Sequence, residues 1–433
     1  MLLIAGTASA QSPAWLSDRE YAQGRGFEVG NFELHPGIGV EFGYDSNYFR
    51  RADDEDPIGT LRLRISPSFF VSTLGPQRRA PGTAPPAITF SAGIAATYDE
   101  FFPVTGSDAG QNQMKDQRNV GGRADFRLDF FPGRVVFGSL HGGVSRNIDP
   151  SNAGVQAESF NRDIPDAGAE IGFAPGGGVF DWRFGYNFTG TFFESGGYTN
   201  LNNFNHDFYT RGRWRFLPRS ALTFDGRFDL LQYPDTGPGG KTGAHPVRAR
   251  LGYNGLITKS FALTVLGGWG ASFYQPAPQE DFDSFIGQLE VKWLITPPPA
   301  TDPEAASLSL SHLAVGFNRD FADSYIGTYE EINRGYAKFS YLFAQRFLLV
   351  VQAGVAAVIH PPIPDLNVNS SFTTIRVDSS LFAEYRFINF FGVNGTFRAD
   401  TNITDQTVTG TSGQNERLQW LDIQAYLGAR LLW

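Results

Sequence analysis

Apolar and polar residues alternate along many segments of this chain, which is the pattern of a β-strand whose two faces meet different surroundings. Between residues 118 and 131, Val120 and Phe126 share one parity while Arg123 and Arg127 share the other. The same alternation recurs at residues 33–45, 179–192, 205–216, 222–230 and 375–387. These runs predict an all-β chain.

The length of the runs separates two all-β architectures. A soluble antiparallel sandwich also alternates, because one face of each sheet is wet. Strands of globular proteins average about 5 to 6 residues, whereas strands of membrane barrels need about 9 to 11 residues within the bilayer. The runs in this chain continue for about 12 to 15 residues, which favours a transmembrane barrel. The most apolar segment, residues 347–359, is interrupted by Gln352 and is shorter than the about 20 residues of a membrane helix.

The connections between the runs fall into a short and a long class. Short connections lie near residues 132–134, 175–178, 217–220, 258–260, 344–346 and 388–389, and longer polar loops such as 46–57 and 320–331 lie between them. Outer-membrane barrels have short periplasmic turns and long extracellular loops. We therefore predict a single antiparallel up-and-down β-barrel of about 18 strands with both termini in the periplasm. The proline-rich segments 73–86 and 297–306 break the short-turn rule, either as contacts for a periplasmic partner or as flexible linkers.

The two ends of the chain carry targeting signals. Residues 1–10, MLLIAGTASA, have the small-residue ending of a signal-peptide remnant, with a frayed apolar terminus as the alternative. Residues 11–32 then form a periplasmic N-terminal segment and residues 33–433 the barrel. Residues 421–433 alternate back from the terminal Trp433 and resemble the last strand by which the barrel assembly machinery recognises its clients. We therefore expect the outer membrane of a Gram-negative bacterium as the location.

The apolar parity of a spanning barrel faces lipid, because only a closed sheet pairs all of its backbone groups in hydrocarbon. Outer-membrane lipids and lipopolysaccharide are then the first partners. Aromatic residues near strand ends suit the girdles at the membrane interfaces. The girdle candidates are Trp182, Trp214, Trp269, Trp293 and Trp433.

The polar parity lines the lumen and is rich in arginine and aspartate. The predicted lumen-lining residues are Arg62, Arg64, Arg123, Asp125, Arg127, Asp129, Arg211, Arg213, Arg215, Asp225, Arg227, Asp229, Arg248, Arg250, Arg376, Asp378, Glu384, Arg386, Arg398 and Asp400. Opposite charges on neighbouring strands can pair and stiffen the wall, or clustered arginines can favour anionic solutes or sugar polymers. Pairing is the first interpretation for most of them. The channel role is favoured for Arg211, Arg213 and Arg215, whose own strand has few acids, and a barrel of this size is wide enough for an aqueous pore.

Composition fits two-faced strands. The 433 residues are 15% aromatic and only 18% charged, yet their mean hydropathy is -0.22 because each strand averages a lipid face with a wet face. A net charge of -9 argues against a nucleic-acid partner, which needs a basic surface. The absence of cysteine excludes disulfides and thiolate metal sites.

Few residues suggest catalysis or a cofactor. Residues 235–242, DTGPGGKT, resemble a phosphate-binding loop, but Asp235 replaces its first glycine and no helix pattern follows, so an extracellular loop is the better interpretation. The acidic run Asp53 to Asp56 is a solvated loop or a divalent-cation site. The six histidines are scattered. We expect no enzyme activity, no cofactor and no metal site.

Residues 31–50, NFELHPGIGVEFGYDSNYFR, form an alternating strand that leads into a loop rich in aromatic residues. They resemble the opening strand of the beta-barrel porin type 2 family, outer-membrane barrels associated with exopolysaccharide or capsule production. The resemblance implies a diffusion or polymer-export channel that works with periplasmic polysaccharide-export proteins. The alternative is a plugged structural or adhesive barrel whose acidic loops carry the function.

Overall fold

A computed structural model describes residues 26–75, 86–148, 160–235, 241–275, 280–295, 311–325, 327–363, 368–409 and 415–433. Within these ranges, one α-helix, α1 (Asp108–Lys115), and one 3₁₀-helix (Gly196–Leu201) accompany the strands. The strands are β1 (Phe27–Val29), β2 (Phe32–Asp45), β3 (Thr60–Thr73), β4 (Ile88–Pro103), β5 (Asn119–Phe130), β6 (Val136–Asn147), β7 (Arg162–Phe173), β8 (Phe180–Phe193), β9 (Asn203–Leu217), β10 (Ser220–Gln232), β11 (Gly243–Leu256), β12 (Phe261–Gln275), β13 (Phe282–Leu294), β14 (His312–Asp323), β15 (Tyr329–Phe343), β16 (Phe347–His360), β17 (Phe372–Ile388), β18 (Phe391–Ile403), β19 (Thr407–Thr409), β20 (Asn415–Arg417) and β21 (Trp420–Leu432).

The long strands form one closed ring. Each pairs antiparallel with the next, and β2 pairs both with β3 and with the last strand β21, so the sheet closes on itself. Eighteen strands, β2 to β18 and β21, make up the barrel, which confirms the predicted antiparallel up-and-down barrel and its strand number. Strand β1 lies in the segment predicted to precede the barrel and pairs with β2 beyond the last β21 contact, Gly37 with Leu432.

The strand register places the two parities on opposite faces of the sheet. Phe42 lies opposite Leu63 on β3 and Leu427 on β21, whereas its neighbour Glu41 lies opposite Arg64 and Gly428. The Phe42 side is solvent-exposed and apolar, and the Glu41 side is buried. The exposed apolar side chains continue around the strands, so the outer face needs a hydrocarbon environment. The chain is an outer-membrane β-barrel. Among the described residues, no helix is long and apolar enough to cross a membrane.

The two rims of the barrel differ. One rim, which we call the turn end, carries the tight connections after β5, β7, β9, β11, β15 and β17 together with the C-terminus. The connection after β15 is a three-residue turn, 344–346, in which Ala344 and Gln345 both have positive φ, 46° and 59°, and the Arg346 N–H donates to the Phe343 carbonyl at 2.9 Å. Such turns match the twist of antiparallel strands. The connections after β3 and β13 lie at the turn end too and are longer. The other rim, the loop end, carries the connections after the even-numbered strands of the barrel, including α1 and the 3₁₀-helix.

Candidate functional site: the lumen wall

All twenty charged residues predicted to line the lumen lie at inward positions of their strands. These residues lie on β3, β5, β9, β10, β11, β17 and β18. The register aligns them with inward partners on neighbouring strands, as in Asp225 opposite Arg211 and Arg250, and Asp378 opposite Asp400. The wall falls into sectors that differ sharply in their exposure to water.

The five girdle tryptophans lie on the outward face. Trp182, Trp214, Trp293 and Trp433 lie toward the turn end. Trp269 lies toward the loop end, where its indole Nε1–H donates to Asp283 Oδ1 at 2.5 Å. A carboxylate on the outer face marks the polar boundary of the apolar belt, and an indole at such a boundary keeps its ring in lipid and its N–H in the polar layer.

The first sector, the closing wall, is the inward face of β2, β3, β4, β18 and β21, where the ring closes. Asp99 on β4 holds two arginines of β3: Arg62 Nε lies 2.7 Å from its Oδ1 and Arg64 Nε lies 3.1 Å from the same oxygen. Arg64 Nη1 also reaches Glu41 of β2 at 3.3 Å. The side chains of Arg62 and Asp99 are only 1% and 4% exposed. The closing wall therefore joins three strands by dry, charge-assisted hydrogen bonds.

Carboxylates also meet across the strands that close the ring. Asp45 on β2 and Asp422 on β21 are buried, and the Gln424 amide Nε2–H donates to Asp422 at 2.8 Å and to Asp45 at 3.2 Å. Nearer the turn end, Glu384 of β17 pairs with Arg386 at 2.7 Å and with Arg430 of β21. Arg398 and Asp400 lie inward between these groups, partly buried.

Two loop-end connections cover the closing wall. Residues 46–59 and 104–118, with α1, contribute Tyr48, Phe49, Ile58 and Met114 to an aromatic and aliphatic cluster over the arginines, and Phe101 of β4 completes it. The Arg62 guanidinium lies 5.0 Å from the Phe101 ring centroid and 5.5 Å from that of Tyr48, within cation–π range. This cover explains how charged side chains inside a barrel stay dry.

Residues of the acidic run Asp53 to Asp56, predicted as a solvated loop or a divalent-cation site, hold these two connections in place by hydrogen bonds. Asp56 accepts hydrogen bonds from the Ser107 N–H at 3.0 and 3.1 Å. Hydrogen bonding by the Ser107 side chain, and then by its N–H, lowers the pKa of the Asp56 carboxyl. Glu55 accepts from the Arg417 N–H at 2.9 Å. No group of three or more potential metal ligands occurs among the residues that the structure describes.

The second sector, the open wall, is the inward face of β5 to β9. On β5 the ion pairs join residues two apart on the same strand, Arg123 with Asp125 at 3.3 Å and Arg127 with Asp129 at 2.8 Å. Arg123 and Asp125 are 51% and 49% exposed. Exposed pairs of this kind contribute at most about 1 kcal/mol to stability. The open wall therefore presents its charges to the lumen.

In the row Arg211, Arg213 and Arg215, the first two arginines have acidic partners that come from neighbouring strands. Arg211 lies 3.5 Å from Asp225 of β10, and Arg213 lies 3.5 Å from Asp181 of β8. The arginines are the more exposed members, since Arg211 is 50% exposed and Asp225 is 23% exposed. Guanidinium groups therefore face the lumen above partly buried carboxylates.

Remaining lumen candidates form a third, partly covered sector on β10, β11 and β17. Arg227 pairs with Asp207 at 2.8 Å, and Arg250 pairs with Asp225 at 2.8 Å. Arg248 pairs with Asp229 at 3.6 Å and with Asp320 at 3.0 Å. Arg376 pairs with Glu330 at 3.2 Å and Asp378 with Arg334 at 2.6 Å. The sequence analysis did not include several ion-pair partners of the lumen candidates, namely Asp181, Asp207, Asp320, Glu330 and Arg334. Their inward parity could have identified those that lie within regular strands.

Three segments singled out in the sequence lie outside this wall. Of the stretch 235–242, residues 236–240 lie outside the described residues, while Lys241 forms an ion pair with Asp323. The signal-peptide remnant, residues 1–10, and the proline-rich segment 297–306 also lie outside the described residues.

Comparison with known proteins finds likeness in architecture only. No protein-family model matches the chain, and no curated protein matches its sequence significantly. Among solved structures, OccAB4 of Acinetobacter baumannii matches at TM-score 0.47 and 10% identity over 93% of this chain and 98% of the other. The outer-membrane protein opdK of Pseudomonas aeruginosa matches at TM-score 0.47 and 10% identity over 93% and 99%. The alcaligin receptor FauA of Bordetella pertussis matches at TM-score 0.44 and 9% identity over 93% and 76%. The fold and the outer-membrane location of this chain follow from its own strand register and apolar outer surface.

Proposed function

We propose that this barrel is an outer-membrane channel for passive diffusion or export of anionic solutes. The observation that carries the proposal is the open wall, where the more exposed members of the Arg211–Asp225 and Arg213–Asp181 pairs are arginines. Rings or rows of charged side chains select ions of opposite sign in a pore. The neutralising carboxylates lie beneath the guanidinium groups, so the surface that a solute meets is more basic than the count of charges indicates.

As a finer proposal, the channel is the outer-membrane component of exopolysaccharide or capsule secretion. Support comes from the resemblance of residues 31–50 to the beta-barrel porin type 2 family, in which β2 would be the opening strand. Acidic sugar polymers are anions and suit an arginine-lined wall. Under this proposal both termini face the periplasm, where the polysaccharide-export proteins lie. The barrel assembly machinery recognises β21, and the outer face contacts lipid and lipopolysaccharide.

Planar bilayers test the channel directly. The purified barrel should give stepwise conductance with a preference for chloride over potassium. The triple substitution Arg211→Gln, Arg213→Gln and Arg215→Gln should lower the chloride-to-potassium permeability ratio by about twofold or more, because three lumen cations are lost.

A matched control removes three cations from the turn end instead of the lumen: Arg134→Gln, Arg219→Gln and Lys259→Gln. These residues lie in the connections after β5, β9 and β11, and their loss should leave the ratio unchanged. Absence of any conductance would refute the channel, and equal effects of the two triple variants would refute the assignment of selectivity to the open wall.

A further inference from the structure

The ladder between β13 and β14 stops before either strand ends. Pairing runs from Leu294 opposite His312 to Gly287 opposite Arg319. Above this point Phe282 to Ile286 remain paired with β12, and Asp320 to Asp323 remain paired with β15. The two strands therefore part at the loop end and leave a gap in the barrel wall.

One arginine fills the gap. Arg319 Nε–H donates to the Phe285 carbonyl at 2.9 Å, and its Nη2 donates to Ser284 Oγ at 2.8 Å. Its Nη1 lies 3.0 Å from Glu331. A side chain thus replaces part of the missing backbone ladder, where unpaired backbone groups facing lipid are costly. Phe285 on the outer face is left 62% exposed.

Beyond Arg319, β14 turns into the lumen. Phe321 has outward parity but is only 2% exposed, and it stacks on inward-facing Phe282 with ring centroids 4.3 Å apart. Arg248 of β11 donates through Nη2 to the Phe321 carbonyl at 2.6 Å and pairs with Asp320. Gly270 makes room for this ring, because a Cβ there would lie 2.7 Å from Phe321 Cε1.

The connection after β14 continues across the loop-end mouth. Asp323 accepts from the Tyr233 hydroxyl at 2.5 Å and pairs with Lys241, both from the β10–β11 connection. The Tyr325 ring meets Phe160 and Phe193 with centroids 5.3 and 6.0 Å apart. Phe193 ends β8, which lies six places from β14 in the ring of eighteen strands. The segment from Asp320 to Tyr325, which we call the inward tip, therefore crosses part of the mouth.

The sequence of the inward tip also fits a second position. If the β13–β14 register continued, Phe285 would face Phe321, Ser284 would face Ala322 and Asp283 would face Asp323. Phe321 would then join Val315 and Phe317 on the lipid face. Asp283 and Asp323 would lie at the polar boundary marked by Trp269. Each exposed edge would gain a backbone partner.

We propose that the inward tip is a gate with two alternative sets of partners. In the closed state it binds Arg248, Lys241, Phe160 and Phe193 across the mouth, and Arg319 caps the edge of β13. In the open state β14 extends its backbone pairing with β13 along residues 282–286, and the inward tip leaves the mouth of the barrel. Ion pairs and aromatic contacts oppose backbone pairing, the kind of bistable balance on which structural switches depend. The effect on conduction rests on the proposed channel function, whereas the two positions of the tip do not.

Introduced cysteines report each state, because the chain has none of its own. The Phe285 carbonyl points toward β14, so even-numbered residues of β13 occupy non-hydrogen-bonded positions, where opposite Cα atoms are about 4.5 Å apart. That spacing permits a disulfide. Ser284→Cys with Ala322→Cys should therefore form a disulfide only in the open state. Phe160→Cys with Tyr325→Cys should be joined by a short thiol crosslinker only in the closed state.

The matched control is Gln288→Cys with Asn318→Cys, an inward pair of the same type that is already opposite in the ladder. It should form a disulfide completely in the folded barrel. We expect the Ser284/Ala322 variant to cross-link more slowly, and to do so at least about tenfold faster when Asp320→Asn removes one closed-state contact. In bilayers the oxidised variant should conduct more than its reduced form.

No cross-link between positions 284 and 322, alongside complete cross-linking of the control, would overturn the gate whether or not the barrel conducts. Cross-linking at both pairs without any conductance would retain the two positions and refute the channel. Equal conductance of the oxidised and reduced forms would show that the tip moves without gating.

Discussion

The closing wall and the open wall carry the same residue types at the same inward parity but differ in their pairing. Arg62 and Arg64 reach from β3 to Asp99 on β4 and Glu41 on β2, so each ion pair crosses between strands. Arg123 and Arg127 instead pair with Asp125 and Asp129, two residues along their own strand. Cross-strand pairs join the strands that close the ring, whereas the same-strand pairs on β5 do not link β5 to its neighbours.

The two walls also differ because loops cover the closing wall and leave the charges of the open wall exposed. The loop-end cluster with Tyr48, Phe101 and Met114 excludes water from the closing wall. Around Arg123 and Asp125 half of each side chain remains exposed. Removing the partner of a buried charge strongly destabilises the fold, whereas an exposed ion pair is screened by solvent and contributes little to stability. The structural role and the proposed channel role therefore belong to different sectors of one lumen.

The largest effect is expected from Asp99→Asn in the closing wall. The substitution leaves Arg62 and Arg64 buried without their shared carboxylate and should lower the free energy of unfolding by about 3 to 5 kcal/mol. Urea unfolding of the barrel in lipid vesicles, followed by tryptophan fluorescence, measures the change. A loss below about 1 kcal/mol would show that the closing wall is not the dry network described.

A smaller effect is expected from the cover. Met114 on α1 is fully buried against the closing wall. Met114→Ala should cost about 2 kcal/mol, the lower end for a buried methionine, because a loop can settle into the space that the side chain leaves. Hydrogen exchange of residues 46–59 and 104–118 should quicken while the strands stay protected. Equal protection of these two connections in the variant and the unsubstituted barrel would mean that the cover does not depend on this residue.

The strands were predictable because alternation is a local property. The runs at residues 33–45 and 118–131 match β2 and β5 closely, and the alternating C-terminus forms β21, which closes the ring. Parity also placed Arg62 and Arg123 on the same inward face. It could not show that one is dry and the other wet, because burial depends on loops that pack from far along the chain.

The loop end was less predictable for the same reason. Residues 320–331 were predicted as one polar extracellular loop, but β14 continues to Asp323 and enters the lumen. Helix α1 gave no signal, since its residues lack an apolar stripe and only Gly110 and Met114 are buried. Asp225 was predicted to line the lumen, but its pairing with Arg211, like that of Asp181 with Arg213, was missed because these acids lie on adjacent strands and the strand register brings each pair together.

The smallest effect, and the sharpest test of the comparison, is expected from Asp125→Asn on the open wall. The change has the same chemistry as Asp99→Asn, and Asp125 is likewise an inward carboxylate bound by arginine. Because the pair is exposed and screened, the free energy of unfolding should change by less than about 0.5 kcal/mol. Removing a lumen anion should instead raise the chloride-to-potassium permeability ratio slightly. Should Asp125→Asn destabilise the barrel as much as Asp99→Asn, exposure would not divide the two walls, and the arginines of the open wall would be structural as well.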